Sequence, residues 1–166
     1  NINNWVKKSY KLKKWAFISD YFRLKTLYQN WWFYLDTDME LKSSLDFFLE
    51  NKFFLWFDSR KILSWWIIWA EKWNTDLLNL ITIYENKKFD WTTINSIITP
   101  YFEKKWLILN WEEQSINNIK FYKSNRISID MNDWKSIVVD HHLNSWNDWK
   151  KVNHTARVYL EYLATK

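Results

Sequence analysis

Glycine and cysteine are both absent from this sequence of 166 residues, and proline occurs once. A chain of this length usually contains about 12 glycines, or roughly 7% of its residues. The absence of cysteine excludes disulfides and thiolate metal sites, and it fits a reducing compartment. No apolar run approaches the roughly 20 residues that a membrane-spanning helix needs, and these residues contain no signal-peptide pattern. We therefore expect a soluble, cytoplasmic protein.

Tryptophan, by contrast, is unusually abundant, with 15 residues. Six of them follow Asn or Asp, the residues that precede glycine in the commonest tight turns. We interpret most of the tryptophans as glycines, encoded by UGA in an AT-rich genome that assigns this codon to glycine. The alternative is a genuinely Trp-rich surface that stacks on sugars or bases. The six dipeptides are Asn4-Trp5, Asn30-Trp31, Asp90-Trp91, Asn110-Trp111, Asp133-Trp134 and Asp148-Trp149.

The chain is basic, with a formal net charge of +5 and a sequence pI of about 9.2. Its lysines are scattered in pairs, which is typical of solvated surfaces. An anionic ligand or an acidic membrane surface suits this charge, but the charge alone selects neither. The length predicts a single domain over residues 1–166 with a core of its own.

Apolar periodicity predicts helices that alternate with short strands. Residues 15–30 form one apolar helical stripe, and Trp31-Trp32, read as Gly-Gly, would cap its end. A strand at 33–38 follows, and its period of two puts Tyr34, Asp36 and Asp38 on one side. This alternation favours a layered α/β domain. Further helices are predicted at 43–51, 76–84, 93–105 and 152–163, and further strands at 53–57, 67–68, 119–122, 127–129 and 137–139.

Two polar pairs carry the chemistry. Asp36 and Asp38 offer hard oxygen ligands to Mg²⁺ or Mn²⁺, which can neutralise a diphosphate, although solvated turns often carry the same motif. Asp20 and Arg23 share a helix face at i and i+3. They form either a local surface ion pair or a ligand site in which Arg donates to phosphate or hydroxyl and Asp accepts from a sugar hydroxyl.

With glycine read for tryptophan, the segment SDYFRLKTLYQNWWFYLDTDME at 19–40 resembles a bacterial glycosyltransferase family. These are the capsular-polysaccharide and mannosyltransferase-like enzymes with a sugar-binding region containing a DXD motif, related to the clostridial glucosylating toxins. FLWFDS at 54–59 and WIIWAEKWN at 66–74 extend the resemblance, as do NSIIT at 95–99 and VDHHLNSW at 139–146. The family's opening strand has no counterpart here, so we expect a fragment that lacks its N-terminal part.

The resemblance implies a GT-A fold and a hexosyltransferase that retains anomeric configuration. The donor would be a nucleotide-sugar and the acceptor a saccharide or lipid-linked sugar in surface polysaccharide synthesis, with no role for nucleic acid. Peripheral association with the inner face of the membrane is compatible with this role. No residue is an evident nucleophile, so we expect front-face substitution. The resemblance implies that Asp36 and Asp38 bind the metal together with His142. It implies that Asp20, Arg23 and Tyr34 contact the donor. It also implies that Ser145 and Trp146 belong to a loop that closes over the diphosphate.

Two other classes of function stay open. One is a non-enzymatic module that binds carbohydrate or nucleic acid through literal tryptophans, which should then share one exposed strand face. The other is an inactive glycosyltransferase relative that acts as a scaffold. Under the recoding hypothesis Trp146 is the tryptophan expected to be genuine.

Overall fold

The computed structural model describes residues 3–59, 61–123, 127–128 and 136–141. Its helices are α1 (Asn4–Lys11), α2 (Trp15–Gln29), α3 (Thr75–Asn86) and α4 (Asn95–Glu103), with a 3-10 helix at Asp46–Glu50. Its strands are β1 (Trp32–Leu35), β2 (Met39–Leu41), β3 (Phe53–Ser59), β4 (Ile62–Ala70), β5 (Gln114–Ile116), β6 (Ile119–Tyr122), β7 (Ile127–Ser128) and β8 (Val138–Asp140). Within these ranges, no helix is long and apolar enough to cross a bilayer.

The chain divides into two compact units. The first contains Asn1–Leu35 and Asp46–Ser124, and the second contains Asp36–Leu45 and Asn125–Lys166. In the described part of the first unit, five strands form a sheet in the order β1-β4-β3-β6-β5. Strands β3 and β6 pair in parallel and the other neighbours are antiparallel, so the sheet is mixed. The mixed sheet and its helices confirm the predicted α/β class, while the prediction of a single domain over residues 1–166 stays a prediction.

The core of the first unit lies between helices and sheet. Leu24 of α2, Leu77 of α3 and Ile98 of α4 are wholly buried in one apolar cluster with Phe53 and Leu55 of β3. Each such side chain contributes about 1.5–3 kcal/mol by leaving water. The described part of the second unit has a three-stranded sheet in the order β2-β8-β7.

Strand β4 contains a large bulge opposite β3. Phe54 pairs with Trp69, but Trp56 pairs with Ser64, so two steps along β3 correspond to five along β4. The segment that carries Trp65 and Trp66 therefore leaves the regular ladder. Bulges redirect backbone and side-chain groups, and they are common beside functional sites.

The predicted helix at 15–30 is confirmed as α2, but two features around its end differ. Asn30 is extended, with φ −130° and ψ 150°, so the expected Gly-Gly cap at Trp31-Trp32 is wrong. The strand predicted at 33–38 ends at Leu35, and the next residues form a turn in which the N–H of Met39 donates to the carbonyl of Asp36 at 3.1 Å. Asp favours such turns because its short side chain competes with the ladder for backbone hydrogen bonds.

The other predicted elements differ mainly in length. The strand predicted at 53–57 is the start of β3, and the strand predicted at 67–68 lies within the longer β4. The helix predicted at 43–51 is reduced to the 3-10 helix at Asp46–Glu50. The short strand β5 has no counterpart among the predicted elements, and the helix predicted at 152–163 lies outside the described residues.

Four of the seven described residues with positive φ are tryptophans. Trp73, Trp91, Trp106 and Trp111 have φ values of 61°, 65°, 76° and 62°. A bulky residue is rare in this left-handed region, which glycine enters without steric cost. The backbone at these positions therefore supports the recoding hypothesis.

Trp5 behaves differently from these four. It was expected in a turn, but it lies inside α1, wholly buried, and its indole N–H donates to the carbonyl of Phe17 at 3.3 Å. By contrast, no described group bonds the buried indole N–H of Trp56 or Trp65. Trp5 is therefore integrated into the core, and the turn expected there is wrong.

Seven described tryptophans are exposed, but they do not share one strand face. Trp15 begins α2, Trp31 precedes β1 and Trp32 begins it, while the other four are those with positive φ. This distribution does not favour the Trp-rich binding module, which requires a common face. The exposed residues are Trp15, Trp31, Trp32, Trp73, Trp91, Trp106 and Trp111.

Candidate functional site

Asp20 and Arg23 form a buried ion pair on α2. Nη2 of Arg23 lies 3.6 Å from Oδ1 of Asp20. The side chain of Arg23 is 10% exposed and that of Asp20 is 12% exposed. Removing two charges from water costs several kcal/mol for each ion, which a 3.6 Å contact repays only in part. This burial contradicts a solvated surface pair, while a ligand site at this pair stays a prediction.

Three elements of the first unit hold the guanidinium of Arg23. Helix α2 carries the side chain, strand β1 supplies the ring of Tyr34, and the β4 bulge supplies the carbonyl of Trp65. The guanidinium carbon lies 4.4 Å from the centre of the Tyr34 ring, and Nη1 donates to the Trp65 carbonyl at 3.3 Å. The contact with the ring and the hydrogen bond together restrain the guanidinium, so it would lose fewer conformations on binding an anion or a hydroxyl.

The sequence thus predicted three residues that lie together in the first unit, namely Asp20, Arg23 and Tyr34. A fourth residue of this cluster, Tyr84 on α3, was not predicted. Burial raises the pKa of the Tyr84 phenol well above its usual range, and the Asp20 carboxylate raises it further while Arg23 lowers it. The sequence shows Tyr84 only as the end of the apolar stripe of α3, so nothing in the pattern separates its hydroxyl from an ordinary core ring.

Asp36 and Asp38 lie in the second unit, in the turn that precedes β2. The carbonyl of Asp38 accepts a hydrogen bond from the N–H of His141 at 3.0 Å, and β2 pairs with β8 beyond it. Both aspartates are half-buried. The backbone of the Asp-x-Asp turn is therefore anchored to His141, the residue after β8, and the predicted arrangement of the two aspartates along a strand is wrong.

His141 and Glu40 support the base of this turn. Nε2 of His141 lies 3.0 Å from Oε2 of Glu40, and the histidine side chain is 1% exposed. A hydrogen bond from Lys42 at 2.8 Å is the main cause that lowers the pKa of Glu40, and His141 adds to it. The side chain of His141 therefore contacts β2 through Glu40.

The described residues contain no group of three His, Cys, Asp or Glu side chains placed to hold a metal ion. Mg²⁺ commonly takes only one or two carboxylates from a protein and completes its shell with substrate phosphates and water. Two hard carboxylates in a partly accessible turn fit that pattern of binding. His142, Ser145 and Trp146 lie outside the described residues, so their roles stay predictions.

Residues 1–55 match the family model described as glycosyltransferase sugar-binding region containing DXD motif. The match covers about one third of the chain. It includes the Asp20–Arg23 pair, Tyr34, and the Asp36–Asp38 pair. It supports the predicted similarity to DXD-type glycosyltransferases over this segment. No curated protein and no solved structure matches the chain.

Proposed function

We propose that this chain is part of a metal-dependent glycosyltransferase with a GT-A-type fold. It would transfer a hexose from a nucleotide-sugar to a saccharide or lipid-linked acceptor, with retention of configuration, in the synthesis of surface polysaccharide. The buried Asp20–Arg23 pair, braced by Tyr34 and lying inside the matched segment, is the observation that carries the proposal. The mixed α/β sheet of the first unit is compatible with such a fold.

Asp20 and Arg23 suit the recognition of a sugar rather than of an apolar ligand. An ionised carboxylate accepts hydrogen bonds from sugar hydroxyls, and a guanidinium donates several at fixed angles. Because its guanidinium already lies over the ring of Tyr34, Arg23 would meet the sugar in one orientation. The pair would therefore orient the hexose at the start of the transfer.

Asp36 and Asp38 are the residues that would hold Mn²⁺ or Mg²⁺. The ion would neutralise charge on the departing nucleoside diphosphate, which is the main electrostatic contribution expected in such a transfer. The hydrogen bond from the N–H of His141 to the Asp38 carbonyl would keep both carboxylates in place during turnover.

The transfer would proceed as a front-face substitution at the anomeric carbon. The bond between the anomeric carbon and the diphosphate oxygen breaks, and a bond to the acceptor oxygen forms on the same face through an oxocarbenium-like transition state. The acceptor proton passes to the departing diphosphate oxygen. Arg23 would stabilise negative charge that develops during this step, because a preorganised donor costs no reorganisation when charge appears.

Binding and turnover of donor probes test the proposal. The full-length protein is expressed with the residues that its own codons specify, and UDP-glucose and GDP-mannose serve as probes with Mg²⁺ or Mn²⁺. We expect binding of one probe and its slow hydrolysis, both lost in Asp38→Ala and on chelation. Asp90→Ala is the matched control, because this exposed carboxylate belongs to the first unit and forms an ion pair with Lys87 at 2.6 Å. Metal-independent turnover, or full activity of Asp38→Ala, would refute the proposal.

A further inference from the structure

Helices α1 and α2 pack as a hairpin, and the turn that joins them is exposed. The buried side of α1 includes Ser9, while residues 10–15 at the turn are all exposed. Backbone hydrogen bonds hold the turn, since the N–H of Lys13 donates to the carbonyl of Tyr10 at 3.0 Å and that of Lys14 to the carbonyl of Ser9 at 2.9 Å. The turn therefore presents its side chains to solvent from an ordered backbone.

Five lysines lie in α1 and in this turn, and no acidic residue precedes Asp20 in the sequence. All five are exposed, and within the described residues no carboxylate forms an ion pair with any of them. The carboxylates of Glu85 and Asp90, on segments that pack beside the hairpin, pair with other lysines. The end of the hairpin is therefore strongly positive. The five are Lys7, Lys8, Lys11, Lys13 and Lys14, and with Tyr10 and Leu12 they form what we call the basic tip.

Two side chains with apolar surface stand among these lysines. Tyr10 is 65% exposed and Leu12 is 37% exposed, and neither residue is affected by the recoding of tryptophan. A surface that only attracts a polyanion needs no apolar groups between its lysines. At a lipid bilayer, by contrast, such groups leave water at the head-group boundary, where tyrosine is enriched. The composition of the basic tip therefore favours a membrane over a nucleic acid.

Lys13 occupies an unfavourable backbone position in the basic tip. Its φ is 54°, and the two hydrogen bonds of the turn are those of a Schellman motif, in which glycine usually takes this place. A side chain with a Cβ is strained in the left-handed region, and such strain often marks a functional position. A lysine codon is also unaffected by reading UGA as tryptophan. The strain therefore indicates that the lysine side chain has a role outside the fold.

We propose that the basic tip docks this protein on a bilayer that contains anionic phospholipids. The lysines lie among the lipid phosphates, while Tyr10 and Leu12 enter the boundary with the acyl chains. Each lysine near such a surface strengthens binding about fivefold, so the five together provide most of the affinity. The inference uses no residue of the candidate site and does not rest on the proposed function.

Co-sedimentation with lipid vesicles tests the docking surface. The full-length protein, carrying the residues that its codons specify, is mixed with vesicles of phosphatidylcholine alone or of phosphatidylcholine with phosphatidylglycerol. We expect binding to the anionic vesicles only, and weaker binding as salt is added. Lys11→Ala/Lys13→Ala should lower the partition coefficient about twentyfold. The matched control is Lys52→Ala/Lys72→Ala, which removes two exposed charges from other segments and should lower it much less.

Two further variants separate a membrane from a nucleic acid and docking from folding. Tyr10→Ser/Leu12→Ser keeps every charge, so it should weaken vesicle binding at least about tenfold and leave binding of random-sequence duplex DNA unchanged. Lys13→Gly should raise the thermal midpoint, because glycine enters the left-handed region freely, and should weaken vesicle binding about fivefold.

Equal losses in the two lysine double variants, or equal binding to both kinds of vesicle, would overturn the proposal. Vesicle binding that is unchanged in Tyr10→Ser/Leu12→Ser, together with tight binding of the duplex DNA, would assign the basic tip to a nucleic acid instead. All of these variants should bind nucleotide-sugars as the unmodified protein does, so a failure of docking and a failure of the proposed function are distinguishable.

Discussion

The guanidinium of Arg23 stacks on the ring of Tyr34, with its central carbon 4.4 Å from the ring centre. This contact joins α2 to β1, the two elements that lead into the Asp-x-Asp turn along the chain. Because Arg23 also bonds the β4 bulge through Trp65, its orientation is set by groups from two strands. The Arg23 side chain is thus preorganised before any ligand arrives.

Arg23→Lys keeps the charge but removes the planar group, and it tests this preorganisation. A lysine ammonium is a point charge that cannot stack flat on Tyr34 while it donates to Trp65 and to a ligand. We expect affinity for the accepted nucleotide-sugar to fall by at least about tenfold, with the fold retained. Calorimetry and circular dichroism measure the two quantities. The charge-conserving control is Lys52→Arg, an exposed residue 3.6 Å from Glu71, and equal losses in both variants would contradict the prediction.

The backbone at Trp106 provides a test of the recoding hypothesis on the protein itself. The N–H of Leu107 donates to the carbonyl of Phe102 at 3.1 Å and the N–H of Trp106 donates to that of Glu103 at 3.1 Å, the two bonds of a Schellman motif. Trp106 then occupies the position after the helix that usually holds glycine, with φ 76° and 86% exposure.

Trp106→Gly should therefore stabilise the chain by about 1 kcal/mol, since a non-glycine residue pays roughly 1–2 kcal/mol in the left-handed region. Trp106→Ala removes the same indole but keeps a Cβ, so it should gain much less. Chemical denaturation of the two variants measures the difference. Trp5→Gly, which empties a wholly buried site, should instead cost about 3–5 kcal/mol. Equal stability of the glycine and alanine variants at 106 would contradict the argument.

The codons of the open reading frame test the same hypothesis without any protein. We expect UGA at the four positions with left-handed backbone, which are Trp73, Trp91, Trp106 and Trp111, and UGG at Trp146. Sequencing of the frame, or mass spectrometry of peptides from the source cells, gives the result directly. UGG at all four of these positions would show that the tryptophans are genuine.

Local patterns in the sequence predicted the regular elements well, because apolar stripes and turn residues encode them directly. Helix α2, strand β3 and helix α3 were predicted from such patterns and are present. The Asp-x-Asp turn was misplaced into a strand, because a period of two over a few residues cannot show where the ladder of hydrogen bonds ends. The end of β1 at Leu35 depends on its pairing with Ile67 in β4, a contact between distant parts of the chain.

In the candidate site, too, local patterns were predicted and contacts between distant parts of the chain were not. Asp20 and Arg23 were predicted from their spacing on one helix, but spacing alone did not separate a buried pair from a surface pair. Arg23 donates to the carbonyl of Trp65 in the β4 bulge, which lies about 40 residues further along the chain, and spacing on one helix does not show this contact. Tyr84 was missed for this reason, since only the packing of α3 on α2 brings its hydroxyl near Asp20.

Tyr21 predicts how stability depends on alkaline pH. Its hydroxyl donates to Oε1 of Glu85 at 2.7 Å, and burial, with that hydrogen bond, raises the pKa of Tyr21 to about 12 from its usual value near 10. The folded protein therefore holds this proton more tightly than the unfolded chain. The resulting stabilisation is complete below about pH 10, and it decreases as the pH rises towards about 12.

Tyr21→Phe should isolate this effect. At neutral pH the variant should be less stable by about 1 kcal/mol, because it loses the hydrogen bond to Glu85 and leaves that carboxylate without this donor. Between about pH 10 and 12 the difference between the two proteins should shrink towards zero, since the ionised phenolate of the unmodified protein no longer donates. Urea denaturation of both proteins across this range measures the difference. A gap that stays constant up to pH 12 would contradict the assigned contact, because the variant differs from the unmodified protein only in the group that titrates there.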